Sequence, residues 1–511
     1  MRMTRRRLLG EALAGAGGLV LGTAGCGGAG GRQPAASGST LATTWSDPAG
    51  DGQLRPAAGE AMVARTELGP AAPAAPGATP AVTLAHITDA HVLDASSPAR
   101  VTFLDRLGPP FQSTFRPQEA LTAQVLAGAA NAVRALTPQL VIQGGDLIDN
   151  AQSNELAHAL LALRGGRLDP GSGRDGYFGV QLASNTDPFY YRPDVDAPRN
   201  PGLLRQASQA FVSGGVGAPV SPVFGDHDAL VAGEIVPTTL TMSLAIGDRA
   251  LWELPSGLSL PPGARRAAAV SPDGPPDPGL VGPFLEAALA GPTVRVPPDP
   301  ARAEMSFGEA LSRLAAATAP GVHTRHDASG DLRLDYAVDA GPGVRVIVLD
   351  LVRRGGGSGG LVEASQPQWL AGQLAAAGDR WVIVVSHQPI EGSPGGGDLL
   401  ALLDRAPRVI AALSGHTHRN RITSRPTPAG GYWLISTASL IDYPQQARAL
   451  RIARTHGGGV AIHTWMLDHV STGRLGTVAR QLSYLDAQGG RPGGFAGGRA
   501  DRNAILYRRA A

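Results

Sequence analysis

The chain has 511 residues, 43% of them hydrophobic and 5% aromatic, with a formal net charge of +2. This allows one large domain or two ordinary ones, with a core made mostly of Ala, Val, Leu and Ile. The near-neutral balance gives no nucleic-acid-binding signature. The single cysteine, Cys26, excludes an intrachain disulfide and a thiolate metal site, so any metal must be held by His and Asp.

In chain order, Thr4-Arg5-Arg6-Arg7-Leu8-Leu9 resembles a twin-arginine export signal. The mild apolar stretch that follows, about 12–24, is too short and Gly-rich for a membrane span. Thr23-Ala24-Gly25-Cys26 then resembles a lipobox, departing from it at Thr23. Residues 1–26 are therefore expected to export the protein. Lipidated Cys26 would tether it to an extracytoplasmic membrane surface; otherwise the protein is secreted. Residues 27–80, rich in Ala, Gly and Pro, read as a flexible linker.

The folded domain is expected over 81–485. Short apolar runs at 81–88, 139–143, 220–224, 344–349, 381–385, 409–413 and 432–436 read as buried strands. Helical spacing is found at 118–136, 154–163, 202–211 and 366–377. This alternation predicts an α/β fold. Segments 165–200 and 229–330 break the rhythm and read as insertions. The first carries Tyr190, Tyr191 and Arg192, candidates either for a pocket wall or for internal packing. The Gly-rich run 355–360 lacks the Lys-Ser/Thr ending of a P-loop and is expected as a loop beside the site. Residues 486–511 read as a loosely ordered Gly/Arg-rich tail.

Five clusters of potential metal ligands follow five of these strands: Asp89-Ala90-His91, Gly145-Asp146-Leu147-Ile148-Asp149, Gly225-Asp226-His227-Asp228, His387, and Gly415-His416-Thr417-His418. Functional groups gather where strands of an α/β sheet end. Carboxylates and imidazoles together suit a pair of divalent ions, which neutralise phosphoryl oxygens and activate water. If strand geometry continued past 413, His416 and His418 would share one side. His86, inside a strand, reads as a satisfied core residue.

The set resembles the calcineurin-like metallophosphoesterase superfamily, with its pattern D-x-H, G-D-x-x-D, G-N-H-D/E, a lone His and G-H-x-H. The resemblance spans residues 89–418. It implies a four-layer α/β/β/α sandwich with two mixed sheets. It also implies a dinuclear phosphoester hydrolase in which a metal-bridging hydroxide attacks phosphorus in line. Asp89, His91, Asp146 and His418 would hold one ion. Asp226, His387 and His416 would complete the second, with Asp146 bridging. His227 would be the catalytic acid or oxyanion stabiliser, oriented by Asp228, and Asp149 would support the ligands from behind. The ions would be divalent or mixed-valence Mn, Fe or Zn. One departure stands out: Asp226 replaces the usual Asn, which adds a carboxylate and removes an NH₂ donor. That change is expected to hold metal more firmly and to attract a phosphate dianion less, which leaves room for a phosphodiester preference or for a trivalent ion at one position. The alternatives are a phosphomonoesterase or nucleotidase and, in another class, a non-catalytic exported metal- or ligand-binding protein. Nothing in the sequence speaks to oligomeric state.

Overall fold

The computed structural model describes residues 37–75, 82–100, 102–107, 114–253, 278–470, 473–490 and 495–510, with a few isolated positions between 254 and 277. The export-signal residues, Cys26 included, lie outside the described residues. Among the described residues, no helix is long and apolar enough to cross a membrane.

Two mixed sheets form the centre. The seven-stranded sheet runs Val63–Leu68, Ala504–Arg508, Val460–Asp468, Gln446–Arg454, Val82–Ile87, Leu140–Gln143, Val220–Pro222. Its last three strands are parallel. The six-stranded sheet runs Tyr336–Asp339, Val344–Leu349, Trp381–Ser386, Val409–Ser414, Tyr432–Ser436, Arg421–Arg425, and its four central strands, from Val344–Leu349 to Tyr432–Ser436, are parallel neighbours.

Side-chain alternation explains how the layers stack. Val346, Val348, Ile383 and Val385 join the large core between the sheets. Their sequence neighbours Ile347, Leu349, Val382 and Val384 face the other way, under Leu370 of helix Gln366–Ala376 and Leu399 and Leu403 of helix Gly396–Arg405. Both faces of these strands are covered, so they read as unbroken apolar runs. Each fully buried Val, Ile or Leu contributes about 1.5–3 kcal/mol. On the far side, helix Thr122–Leu136 packs on strands Gln446–Arg454 and Val460–Asp468, and helices Ser153–Arg164 and Arg474–Gln488 pack beside it. This is the four-layer α/β/β/α sandwich that the motif resemblance implies.

Three expectations need correction. Residues 37–68 are not a loose tether. Strands Thr43–Ser46 and Arg55–Ala58 pair, and Val63–Leu68 joins the large sheet parallel to Ala504–Arg508. These strands are short and half exposed, so they show little alternation. The tail is likewise structured: helix Arg474–Gln488 crosses the expected boundary and Ala504–Arg508 sits inside the sheet. The pattern over 202–211 yields helix only at Leu203–Ala207, and Phe211–Ser213 instead pairs with Gly166–Leu168. In the 165–200 insertion, the structure decides for the packing alternative. Tyr190 is fully buried and packs edge-on against Phe115, and its hydroxyl donates to the Trp252 carbonyl at 2.9 Å. Tyr191 is also buried, so both tyrosines pack rather than line a pocket.

Candidate metal centre

All five motif-bearing strands are parallel to their motif-bearing neighbours, three in one sheet and two in the other. Their carboxyl ends therefore open on one edge of the sandwich. At that edge Asp89, His91, Asp146, His416 and His418 all adopt positive φ, between 43° and 62°. Left-handed backbone is uncommon for such residues and costs on the order of 1–3 kcal/mol each, a strain that concentrates at functional sites. The strand geometry does not continue past Ser414, so His416 and His418 do not share one side. Gly145 carries φ 92°, and a Cβ there would overlap the His387 imidazole. Glycine in that motif is thus required by the neighbouring ligand as well as by the turn.

The ligand atoms form two groups. Asp89, His91 and His418 make one, and Asp146, Asp226, His387 and His416 make the other; within each, the atoms lie within 4.8 Å of one another. Asp146 joins them, because its Oδ2 is 3.1 Å from His387 Nε2 and 3.7 Å from His91 Nε2. Asp226 Oδ1 lies 3.2 Å from His387 Nε2 and 3.3 Å from His416 Nδ1. Asp89 Oδ1 lies 3.4 Å from His418 Nε2. A third group, His91, Asp149 and His227, is a hydrogen-bond hub, since Asp149 is already paired with Arg100.

The donor chemistry fits cations. His91 Nδ1 is bonded to Asp149 Oδ1 at 2.9 Å and His418 Nδ1 to Asp442 Oδ2 at 2.7 Å. Carboxylates only accept, so each Nδ1 carries the proton and each Nε2 presents a lone pair. Those two Nε2 atoms are 3.2 Å apart, which is repulsive unless a metal ion or proton sits against them. His387 repeats the pattern. Its Nδ1 bonds the Gly144 carbonyl at 2.8 Å, while its buried Nε2 faces two carboxylates, at 3.1 and 3.2 Å, and has no other polar partner among the described residues.

Electrostatics agree. Burial opposes charge on His387 and His418, but nearby carboxylates outweigh it. Asp146, Asp226 and Asp89 hold His387 well above its ordinary pKa, and Asp89 and Asp442 push His418 up to about 9. Burial favours the neutral form of Asp226, yet His416 and His387 hold its pKa well below the usual carboxylate range. Asp226 and the histidines around it thus favour negative charge on the carboxylate and positive charge beside it.

His227 stands at the rim, its side chain 21% exposed. Its backbone N–H donates to Asp146 Oδ1 at 2.9 Å, and its Nδ1 bonds the Asp149 carbonyl at 2.9 Å with Asp149 Oδ1 3.3 Å away. Burial opposes its charge, but Asp146, Asp149 and Asp226 raise its pKa to about 10. Asp149, not Asp228, therefore orients His227. Asp228 turns inward: Oδ1 accepts from the backbone of Leu147 and Ile148, and Oδ2 from that of Gly225. Asp228 ties two ligand-bearing turns together because three converging N–H groups claim its oxygens.

Several residues here were not singled out from sequence. Asp442 buttresses His418 and is gripped by Arg116. It follows Leu440-Ile441 just beyond a strand, the same signature as the motifs, so it was findable. Gln388 donates to Asp226 Oδ1 at 2.9 Å and to the Ser358 carbonyl at 3.0 Å, which sets the Gly-rich 355–360 loop beside the site as expected. Phe495, from the supposed tail, meets the His418 ring edge-on with centroids 5.9 Å apart. Nothing local in sequence marks Arg100, Arg116 or Phe495. His86 is buried with Nδ1 on Thr437 at 2.9 Å, but its Nε2 has no partner among the described residues, so it is only half satisfied.

Fold and site together define an α/β sandwich with a two-part His/Asp cluster at the strand ends. No family model matches the chain, and no curated protein does. Among solved structures it is similar to a dimetal phosphatase from Danio rerio, at 13% identity over 76% of this chain and 100% of that one, TM-score 0.37. It is also similar to PhoD, at 11% identity over 85% and 80%, TM-score 0.29. A third is the Thermus thermophilus sulfate thiohydrolase SoxB in complex with glycerol, at 12% identity over 81% and 60%, TM-score 0.30.

Proposed function

We propose that this chain is a metal-dependent phosphoester hydrolase, with phosphodiesters as its substrates. The observation that carries the reading is the pair of ligand groups sharing Asp146, with the half-exposed His227 beside both. Asp89, His91 and His418 would hold one ion, Asp226, His387 and His416 the other, and Asp146 both. Two such ions supply a nucleophile from water near neutral pH and neutralise phosphoryl oxygens.

The chain's own residues do the rest. The strained turns and buried hydrogen bonds hold the ligands fixed before substrate arrives. His227, whose Nδ1 is held by the Asp149 carbonyl, would give a proton to the departing oxygen. Asp226 supports diester preference. Asp89, Asp146 and Asp226 bring three carboxylates against two divalent ions. An Asn at 226 would leave the centre one unit more positive and better suited to a dianion. The N-terminal motifs support action outside the cytoplasm.

The test is turnover of bis-p-nitrophenyl phosphate and p-nitrophenyl phosphate with added Mn²⁺. Chelator-sensitive hydrolysis with a higher kcat/KM on the diester is expected. Asp226→Asn should then shift preference towards the monoester. Wild-type preference for the monoester would establish the phosphomonoesterase alternative, and no turnover with any divalent metal would leave a binding protein.

A further inference from the structure

The two ligand groups differ in what stands behind their histidines. In the group of Asp89, His91 and His418, each imidazole is backed by a carboxylate that is itself held by an arginine. His91 Nδ1 meets Asp149 Oδ1 at 2.9 Å, and Asp149 is paired with Arg100. His418 Nδ1 meets Asp442 Oδ2 at 2.7 Å, and Asp442 is gripped by Arg116 through Nε at 2.7 Å and Nη2 at 3.2 Å. The two arms are joined: Glu119 Oε2 accepts from Arg100 Nη2 at 2.8 Å and from the Arg116 backbone at 3.3 Å. Asp149, Asp442, Arg100, Arg116 and Glu119 are all buried.

The other group has no such frame. His387 leans on a neutral backbone carbonyl, that of Gly144. His416 turns Nδ1 to the cluster, its side chain is 23% exposed, and among the described residues no carboxylate backs it. Carboxylate count does not separate the positions, since each has one of its own, Asp89 or Asp226, plus the shared Asp146. The histidines do. A carboxylate on the far N–H of an imidazole fixes its tautomer and strengthens its donation to a metal.

We propose that Asp442, braced by Arg116, is a positioning residue that, with the Asp149–Arg100 arm, makes the Asp89/His91/His418 position the tighter of two unequal metal positions. The inference rests on the two-ion reading above. The position of Asp226, His387 and His416 is then the exchangeable one, which fills last and empties first.

Equilibrium dialysis of the chelator-stripped full chain against Mn²⁺ alone, with electron paramagnetic resonance at each step, tests this. The wild type should bind two equivalents, the first at least about tenfold tighter and giving an uncoupled signal that the second couples. Asp442→Asn should weaken the tight equivalent about 10–100-fold and leave the weak one unchanged. His416→Ala, at the half-exposed position, should keep one tight equivalent, so the test stands even if Asp442→Asn fails to fold. Equal wild-type affinities would overturn the inference. So would parallel weakening of both equivalents in Asp442→Asn, the mark of a merely structural role, or loss of the tight equivalent in His416→Ala. A protein that binds two equal ions and still hydrolyses phosphoesters loses only this inference; one that binds no Mn²⁺ loses the function reading as well.

Discussion

His227 shows how one side chain is set apart from its neighbours at the scale of single residues. Five of the candidate ligands around it are buried, with Asp89 and His387 at 0% and Asp226 at 1% exposure, while its own side chain is 21% exposed, about as open as that of His416. Its nitrogens are not directed into the ligand groups, since Nδ1 is taken by Asp149 and Nε2 lies 3.9 Å from Asp226 Oδ2. It can reach a substrate without serving as a ligand. His227→Ala should lower kcat by about 10²–10⁴-fold, the usual worth of a positioned general acid. Both metal equivalents should be retained. Loss of a metal equivalent, measured by elemental analysis of the variant, would make His227 a ligand instead.

At the scale of elements, the strands that carry the site were legible because they are buried on both faces. Val344–Leu349 and Tyr432–Ser436 fall where apolar runs predict them, and Trp381–Ser386 and Val409–Ser414 extend one residue beyond. What hydrophobic pattern cannot convey is the shape of the turns. Left-handed φ at five ligand residues depends on tertiary contacts, and so does the inward turn of Asp228. From sequence, adjacency to His227 suggested that Asp228 is its partner. In the fold Asp228 bonds the Leu147, Ile148 and Gly225 N–H groups and clamps one turn to the next. Asp228→Ala would leave those three donors unpaired at about 1–3 kcal/mol each. A lower urea midpoint is therefore expected, with a smaller loss in Asp228→Asn, which keeps an oxygen acceptor. An unchanged midpoint with impaired kcat would restore the role of His227 partner.

At the scale of the whole molecule, the least legible parts were the chain ends. Val63–Leu68 and Ala504–Arg508 close the large sheet from opposite ends of the sequence, a pairing that no local pattern encodes. The His/Asp cluster at the other side of that sheet governs how stability responds to pH once metal is removed. In the chelated protein, carboxylates raise His227 to about 10 and His418 to about 9 against the opposing effect of burial. The unfolded value is near 6.5. Their contribution is fully present below about pH 6.5 and is lost as pH rises through 9–10. Burial, then the nearby charge of Asp149, raises Glu155 to about 8; burial and Asp146 raise Asp228 to about 7. Both ionise more readily when unfolded, so each subtracts stability as pH climbs from its ordinary value towards its raised one. Asp226, Asp149 and Asp442, held below the usual range, act only at the acid end, where stability is lost as pH falls below about 4. Burial holds His86, at about 3, and also His91 and His469 below the ordinary histidine value, so stability is lost as pH falls below about 6.5 as well; the metal-free protein should therefore be most stable near pH 6–7 and melt at progressively lower temperature from there up to pH 10. Bound Mn²⁺ would take the place of the protons on the ligand histidines and flatten the alkaline slope. Scanning calorimetry of chelated and Mn²⁺-loaded protein across pH 7–10 checks this. A chelated protein whose Tm rises with pH over that range would mean that the carboxylates do not hold protons on these histidines.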